Sequence, residues 1–339
     1  MKPIDSKRAG SPLVGLTDAS SSWRSKQIVT LTMNPALDVS TSTDVVYSGH
    51  KLRCSRSTLD PGGGGANVAR VIHRLGGQAV AVYTAGGTTG DTYRRLMEAE
   101  GIPVLVAAVQ GSTRQNVTVD EKSTGKQFRF VLEGPEFSEN EWRNCLKIVG
   151  RTIRSGGYLI ASGSLPPGVP DDFYAQLARL AREADVRCVV DTSGLALAEA
   201  LAEGVFLVKP SRRELAEHVG ATLDSEQSQI DAASALIAEG CAEYVALTLG
   251  EAGAVLASKS GAIRLPTPSV KVVSTVGAGD SFLAAFVLRL AQGYPAEAAL
   301  RSAVAAGSAA VISPATELCC RDDVDRLEAE IAALALTFE

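Results

Sequence analysis

The segment Ser274-Thr275-Val276-Gly277-Ala278-Gly279-Asp280-Ser281 sets a carboxylate directly behind two glycines, and the apolar run from Phe282 to Leu288 follows at once. A run of that kind is a buried helix, which puts the glycines at its N-terminus. Such a turn leaves backbone N–H groups unpaired at the positive end of the helix dipole, where they can hold the charge on a transferring phosphoryl group. Asp280 is then a poor phosphate ligand but a good acceptor for the proton of an attacking hydroxyl. The pair points to phosphoryl transfer onto an alcohol. The same turn also reads as a plain helix N-cap, with the carboxylate bonding the first N–H groups.

A second glycine-rich turn, Pro61-Gly62-Gly63-Gly64-Gly65, gives four consecutive positions where backbone can approach a ligand with no Cβ in the way. Behind it Val68, Val71, Ile72 and Leu75 fall at i, i+3, i+4 and i+7, which predicts a helix from Asn67 to Gly76, stopped by Gly76-Gly77. Neither the P-loop pattern nor the dinucleotide pattern G-x-G-x-x-G occurs, so the two commonest nucleotide folds lack their phosphate loops.

The elements that must position these turns show in the alternation of short β-branched runs with longer helical patterns from Ile28 onward. That is the pattern of a mainly parallel sheet covered by helices on both faces. Strands are predicted at Ile28–Thr32, Ala79–Tyr83, Tyr158–Ala161, Arg187–Asp191 and Val205–Val208, and ligands collect at the C-terminal ends of such strands. Two stretches break the rhythm, Asp44 to Leu59 and Asn116 to Leu132. The second reads as a β-hairpin around Ser123-Thr124-Gly125-Lys126. Together they predict a small β-sheet lid, with strands from about residues 39–60 and 112–132, on one α/β domain spanning residues 27–339. Residues 1–26, Ser-rich and polar, read as a disordered extension.

With 33 basic and 38 acidic residues and no long block of either sign, the chain lacks the electrostatic footprint of a nucleic-acid binder. The six cysteines have no metal-ligand spacing and read as buried free thiols. No apolar run reaches the length of a membrane span or a secretory signal, so a soluble, cytoplasmic protein with no membrane partner is expected.

Gly277-Ala278-Gly279-Asp280, together with Asp191-Thr192-Ser193-Gly194, Val208-Lys209-Pro210 and Gly62-Gly63-Gly64-Gly65-Ala66-Asn67, resembles the PfkB, or ribokinase-like, carbohydrate kinases from about Gln27 to the C-terminus. Within that family Lys51-Leu52-Arg53-Cys54, Thr113-Arg114-Gln115-Asn116, Ser162-Gly163-Ser164-Leu165-Pro166-Pro167-Gly168-Val169 and Gly307-Ser308-Ala309-Ala310 are similar to the minor bacterial 6-phosphofructokinase branch. Gly64 stands where the 1-phosphofructokinases usually carry Lys. The resemblance implies a three-layer α/β/α ribokinase-like domain with a β-lid, a homodimer formed through that lid, and ATP-dependent phosphorylation of fructose 6-phosphate. Fructose 1-phosphate and tagatose 6-phosphate stay open as acceptors, as does a catalytically weak sugar-phosphate and nucleotide sensor.

By matching motif, the resemblance makes Asp280 the base and Gly277, Ala278 and Gly279 the anion hole. It puts Asp38, Gly63, Gly64, Asn67 and Ser164 on the sugar, and Arg114, Lys51, Arg53 and Arg129 around its phosphate. Left to local chemistry, Asp38 reads as an Asx-turn after Asn34-Pro35 and Asn67 as a helix N-cap. Lys209 matches the lysine that reaches ATP phosphates, with Ser211, Thr248, Gly250, Gly253, Thr275, Gly307 and Ser308 on the nucleotide. Glu214 matches the acidic residue that organises Mg2+ through water, and Ser274 and Val276 lie where backbone carbonyls hold K+ in relatives. Ser211 replaces the usual Asn of the family pattern. Ser211 and Glu214 also stand at capping-box spacing.

Overall fold

The computed structural model describes residues 25–314 and 317–336. The first strands are β1 (Ile28–Thr32), β2 (Ala36–Thr43), β3 (Thr58–Gly62), β4 (Val80–Ala85), β5 (Val104–Ala108), β6 (Arg114–Glu121) and β7 (Gln127–Val131). The later ones are β8 (Tyr158–Ser162), β9 (Arg187–Asp191), β10 (Val205–Val208), β11 (Ala242–Thr248), β12 (Ala254–Ser258) and β13 (Gly261–Leu265). Helices α1 (Gly64–Arg74), α2 (Gly87–Ala99), α3 (Glu139–Thr152), α4 (Phe173–Glu183) and α5 (Gly194–Glu203) come between or after them. They are followed by α6 (Arg212–Val219), α7 (Glu226–Ala238), α8 (Ala278–Ala291), α9 (Ala296–Ile312) and α10 (Arg321–Leu336). No helix among the described residues is long and apolar enough to cross a membrane.

The main sheet runs β13-β12-β11-β10-β9-β8-β1-β4-β5. It is parallel from β11 to β5, and β12 and β13 add an antiparallel edge. Side chains alternate between its faces. Ile28 of β1 enters one core with α1, α8, α9 and α10, while Val29 and Leu31 enter the other with α3, α4, α5 and α7. This is a three-layer α/β/α arrangement. The chain leaves β1 toward β4 and β5 and returns at β8 on the other side, so the order reverses between β1 and β8. A crevice opens beyond the strand C-termini at such a switch point.

The second sheet, β3-β2-β6-β7, stands apart from the first. Its first strand starts at Ala36 rather than near residue 39, because pairing begins with Ala36 against Gly62 and Arg114. Residues 44–57 between β2 and β3 form no strand. The hairpin β6–β7 is antiparallel, with Val117 opposite Phe130.

Helix α1 starts at Gly64, three residues earlier than its apolar spacing predicts, and its N-cap is Gly63 at φ 121°. The Asn67 amide N–H already bonds the Gly63 carbonyl at 2.9 Å, so the N-cap reading of Asn67 is wrong. The thiols also depart from expectation. All six are free, but Cys54 and Cys320 are exposed, and only Cys145, Cys188 and Cys319 are buried. The expected extension lies, for residues 1–24, outside the described residues.

Candidate active site

The strand ends and two glycine turns converge on the crevice at the switch point. Gly277, at φ 73° and ψ 3°, is the N-cap of α8, so Asp280 stands in the helix's first turn and not at its cap. The plain N-cap reading of Asp280 therefore fails. What replaces it is a long-range contact. Asn67 Nδ2 donates to Asp280 Oδ2 at 2.9 Å, which joins the first glycine turn to the second. Behind the carboxylate, Ser281 to Leu288 are buried, as the apolar run requires.

Desolvation is the largest influence on Asp280, followed by repulsion from Asp191. Asn67 and Lys209 oppose them, and the carboxyl is pushed up to about 6. A group so tuned is a carboxylate at neutral pH with appreciable proton affinity, which suits a general base. Around it the first N–H groups of α8 have no partner within the helix, an arrangement that can hold an anion.

Lys209 follows β10 and is 6% exposed. Its Nζ lies 3.0 Å from Asp191 Oδ1 at the end of β9. Burial works against the ammonium charge, but Asp191, then Asp280 and Glu214, overcome it and hold its pKa above the usual lysine range. Lys209 stays a fixed cation between the carboxylates and beside Gly279, where an added Cβ would lie 3.3 Å from Nζ. Asp191, quoted only within a motif at the sequence level, is thus a member of the constellation. Its signal was an acidic residue closing a strand.

Ser211 and Glu214 form a complete capping box at the start of α6: Ser211 N–H donates to Glu214 Oε2 at 2.7 Å, and Glu214 N–H to Ser211 Oγ at 3.3 Å. Thr248 N–H bonds the Pro210 carbonyl at 3.0 Å and ties β11 to this turn. The short 3-10 turn Gly250–Ala252 follows, and Gly253 at φ 96° leaves no room for a Cβ beside the Leu265 carbonyl. Gly307 of α9 faces Ala278 and Phe282 closely, and Ser308 beside it is buried. Thr275 is exposed, while Ser274 N–H and Val276 N–H are held by the Val311 carbonyl and Ser274 Oγ. Among the described residues no three His, Cys, Asp or Glu side chains converge as a metal cage. A divalent ion fits here only if it rides on nucleotide phosphates and water, with Glu214 and Asp191 near, which is ordinary for Mg2+.

On the lid side Asp38 lies on β2 between Asn116 of β6 and Asp60 of β3, and Asn116 Nδ2 donates to Asp38 Oδ1 at 2.8 Å. Strand pairing replaces the Asx-turn expected from local sequence. Desolvation raises the Asp38 pKa, and Arg114 and Arg129 pull it down. Arg114 donates to the Leu132 and Asn34 carbonyls at 2.9 and 3.1 Å, and Asn34 Nδ2 donates to Ser164 Oγ at 3.2 Å. Thr32 Oγ1, Asn34 Oδ1, Arg114 Nε and Asn116 Oδ1 are buried without a hydrogen-bond partner. Arg114 and Asn116 thus each keep an unpaired polar atom beside the bonds that tie them to Asn34 and Asp38. Sequence reasoning gave no role to Asn34 and Asn116, which bond Arg114 and Asp38.

Gly63 lies against Thr32 and Pro35, and Gly64 against Ser162. A Cβ on Gly64 would overlap Ser162 Oγ, so this position has no room for a side chain while Ser162 keeps its place. Lys51 and Arg53 are exposed on the segment between β2 and β3. The structure does not bring them to Asp38, where the facing cations are Arg114 and Arg129.

Residues 30–323 match the pfkB family of carbohydrate kinases. The chain is 44% identical over 300 residues to the ATP-dependent 6-phosphofructokinase isozyme 2 of Mycobacterium tuberculosis, covering 88% of each. Its fold superposes on phosphofructokinase-2 from Escherichia coli in complex with potassium with a TM-score of 0.88 at 41% identity, covering 91% of this chain and 99% of that one. The complex of that enzyme with fructose-6-phosphate gives 0.86 at 40% identity, with the same coverage. A matched span that holds both glycine turns, Asp191, Lys209 and Asp280 leaves one assignment: the chain belongs to the pfkB family of carbohydrate kinases.

Proposed function

We propose that this kinase transfers the γ-phosphoryl group of ATP to the 1-hydroxyl oxygen of fructose 6-phosphate, giving ADP and fructose 1,6-bisphosphate. One observation carries the reading. Asp280, with its pKa pushed up to about 6, stands in the first turn of a helix whose glycine N-terminus can hold a phosphoryl group, with Lys209 beside it. As the new oxygen–phosphorus bond forms, Asp280 takes the hydroxyl proton and the bond to the ADP oxygen breaks. Amides of Ala278, Gly279 and Asp280 stabilise the transferring group, and Lys209 lowers the repulsion between the two anions.

Asp38, Asn67 and the backbone of Gly63 and Gly64 orient the sugar, with Ser164 and Asn34 at its edge. Arg114 and Arg129 supply positive charge for its phosphate. The side-chain-free position 64 favours fructose 6-phosphate over fructose 1-phosphate. Mg2+ bound to the nucleotide with Glu214 nearby would neutralise phosphate charge. The relative crystallised with potassium supports a monovalent cation on the carbonyls of Ser274 and Val276.

Phe130, Val131 and Leu132 at the end of the lid hairpin are 54%, 63% and 52% exposed, an apolar patch that supports pairing with a second lid in a homodimer. Phe130→Asp would then shift the sedimentation coefficient to that of a monomer, and an unshifted dimer would place the contact elsewhere. The activity itself is tested by initial rates with ATP and each of the three sugar phosphates. Fructose 6-phosphate should give the highest kcat/KM, and a clear preference for either of the others would overturn the substrate assignment.

A further inference from the structure

We propose that Arg70 is a positioning residue that fixes the side-chain amide of Asn67 in the one orientation that donates to Asp280. This rests on the kinase reading above and adds a part to it. The two ends of an Asn amide have the same shape and opposite hydrogen-bonding character. With its NH2 toward Asp280, Asn67 favours the carboxylate. Turned over, its oxygen would accept from the protonated acid and favour the neutral form. An untethered Asn67 could therefore follow the protonation state of its partner and blunt the base.

Arg70 removes that freedom. It lies three residues after Asn67 on α1, hence on the same helix face, and its Nη1 is 3.3 Å from Asn67 Oδ1. The guanidinium is itself held on several sides. Nε donates to Glu100 Oε1 at 2.8 Å, Nη1 donates to the Pro61 carbonyl at 3.1 Å, and Nη2 lies 4.0 Å from Asp60 Oδ1. Arg70 is 2% exposed, so an arginine here has to be matched on every side. Tyr93 Oη donates to the Gly62 carbonyl and pins the same glycine turn from α2. Through these contacts Arg70 joins the end of β3, the start of α1 and the residue closing α2 to the amide of Asn67.

The other charged groups facing Asp280 are Asp191 from β9, Lys209 after β10 and Asp38 from β2, while Glu214 acts on Lys209 and Asp191. None of these touches the amide orientation. Loss of Arg70 therefore has a signature separate from theirs: the Asp280 pKa rises, with the Lys209–Asp191 pair unchanged.

The test is the 13C titration of the Asp280 carboxyl in the full chain, run beside the pH dependence of kcat/KM. In Arg70→Met the carboxyl midpoint and the acid limb should both move up by roughly 0.4–1 unit, the worth of the one hydrogen bond that a freed Asn67 makes to the neutral acid. Asn67→Ala should move the midpoint in the same direction, and the double variant no further than Asn67→Ala alone. Arg70→Lys keeps the charge but cannot reach Glu100, Pro61 and Asn67 together, so it should shift the midpoint part of the way; it carries the test if Arg70→Met does not fold. Unmoved midpoints in the Arg70 variants, with Asn67→Ala shifted, would overturn the proposal. Absence of turnover in the unaltered protein would instead count against the kinase reading, and the carboxyl titration would still decide the role of Arg70.

Discussion

Lys209 Nζ lies 3.0 Å from Asp191 Oδ1 and would lie 3.3 Å from a Cβ placed on Gly279, so one ammonium joins the end of β9 to the glycine turn of α8. Removing it should have two separable effects. Lys209→Met leaves Asp191 without its partner in a largely buried place and should destabilise the fold by about 3 kcal/mol in urea unfolding. It should also raise KM for ATP and lower kcat. Adding Asp191→Asn should recover most of the stability and none of the turnover. Recovery of both would make the pair a purely structural bridge.

Gly64 and Ser162 compete for one space. Gly64→Ala should lower stability and kcat/KM, because its Cβ has nowhere to go while Ser162 Oγ stays where it is. Ser162→Ala in the same chain should restore part of both, since the β-carbon and carbonyl carbon of residue 162 would still lie 3.0 and 3.1 Å away. Additive losses, measured by a double-mutant cycle in thermal unfolding and initial rates, would separate the two residues.

Ser211 stands where the family resemblance implies Asn, and both residue types cap helices well. Ser211→Ala should cost about 1 kcal/mol by loss of the cap on α6. Ser211→Asn should leave stability within about 0.5 kcal/mol, because the cap is kept. Comparing the Mg2+ dependence of turnover in the two variants tells the cap from a metal-side role: an Mg2+ requirement that follows stability alone assigns Ser211 to the cap.

The pH dependence follows from the raised pKa of Asp280. The base works as the carboxylate, so kcat/KM should be level above neutrality and fall about tenfold per unit as pH drops below about 6. Protonation switches activity off on the acid side, not the alkaline side. A limb centred near pH 4 would mean that burial and Asp191 do not tune this carboxyl.

How far the sequence shows this site depends on whether the contact is local. Arg187–Asp191 and Val205–Val208 are legible as strands to the residue, because a short valine-containing apolar run bounded by turns reads as a buried strand. The start of α1 was not, since glycines read as loop even though a first helical turn needs few of its own hydrogen bonds. Asp38, Asn67 and Asp280 each had a plausible local explanation as a turn or cap. The cap readings fail because Gly63 and Gly277 cap the helices instead, and the partners that replace the local ones are distant in sequence, Asn116 for Asp38 and Asn67 for Asp280. Asp191 was seen and given no role, because the cation that makes it important arrives only when β9 and β10 pair. Lys51 and Arg53 rest on the resemblance alone: both are exposed on the segment between β2 and β3, and the cations acting on Asp38 are Arg114 and Arg129.

The most direct test of the central claim is the steady-state kinetics of Asp280→Asn with ATP and fructose 6-phosphate, read beside sugar-phosphate binding and thermal unfolding. The amide keeps the size of the side chain and loses the proton acceptor. The account predicts a kcat lower by about 10²–10⁴-fold, with binding and stability near those of the unaltered protein. A kcat within a few-fold of the original would contradict the assignment of Asp280 as the base.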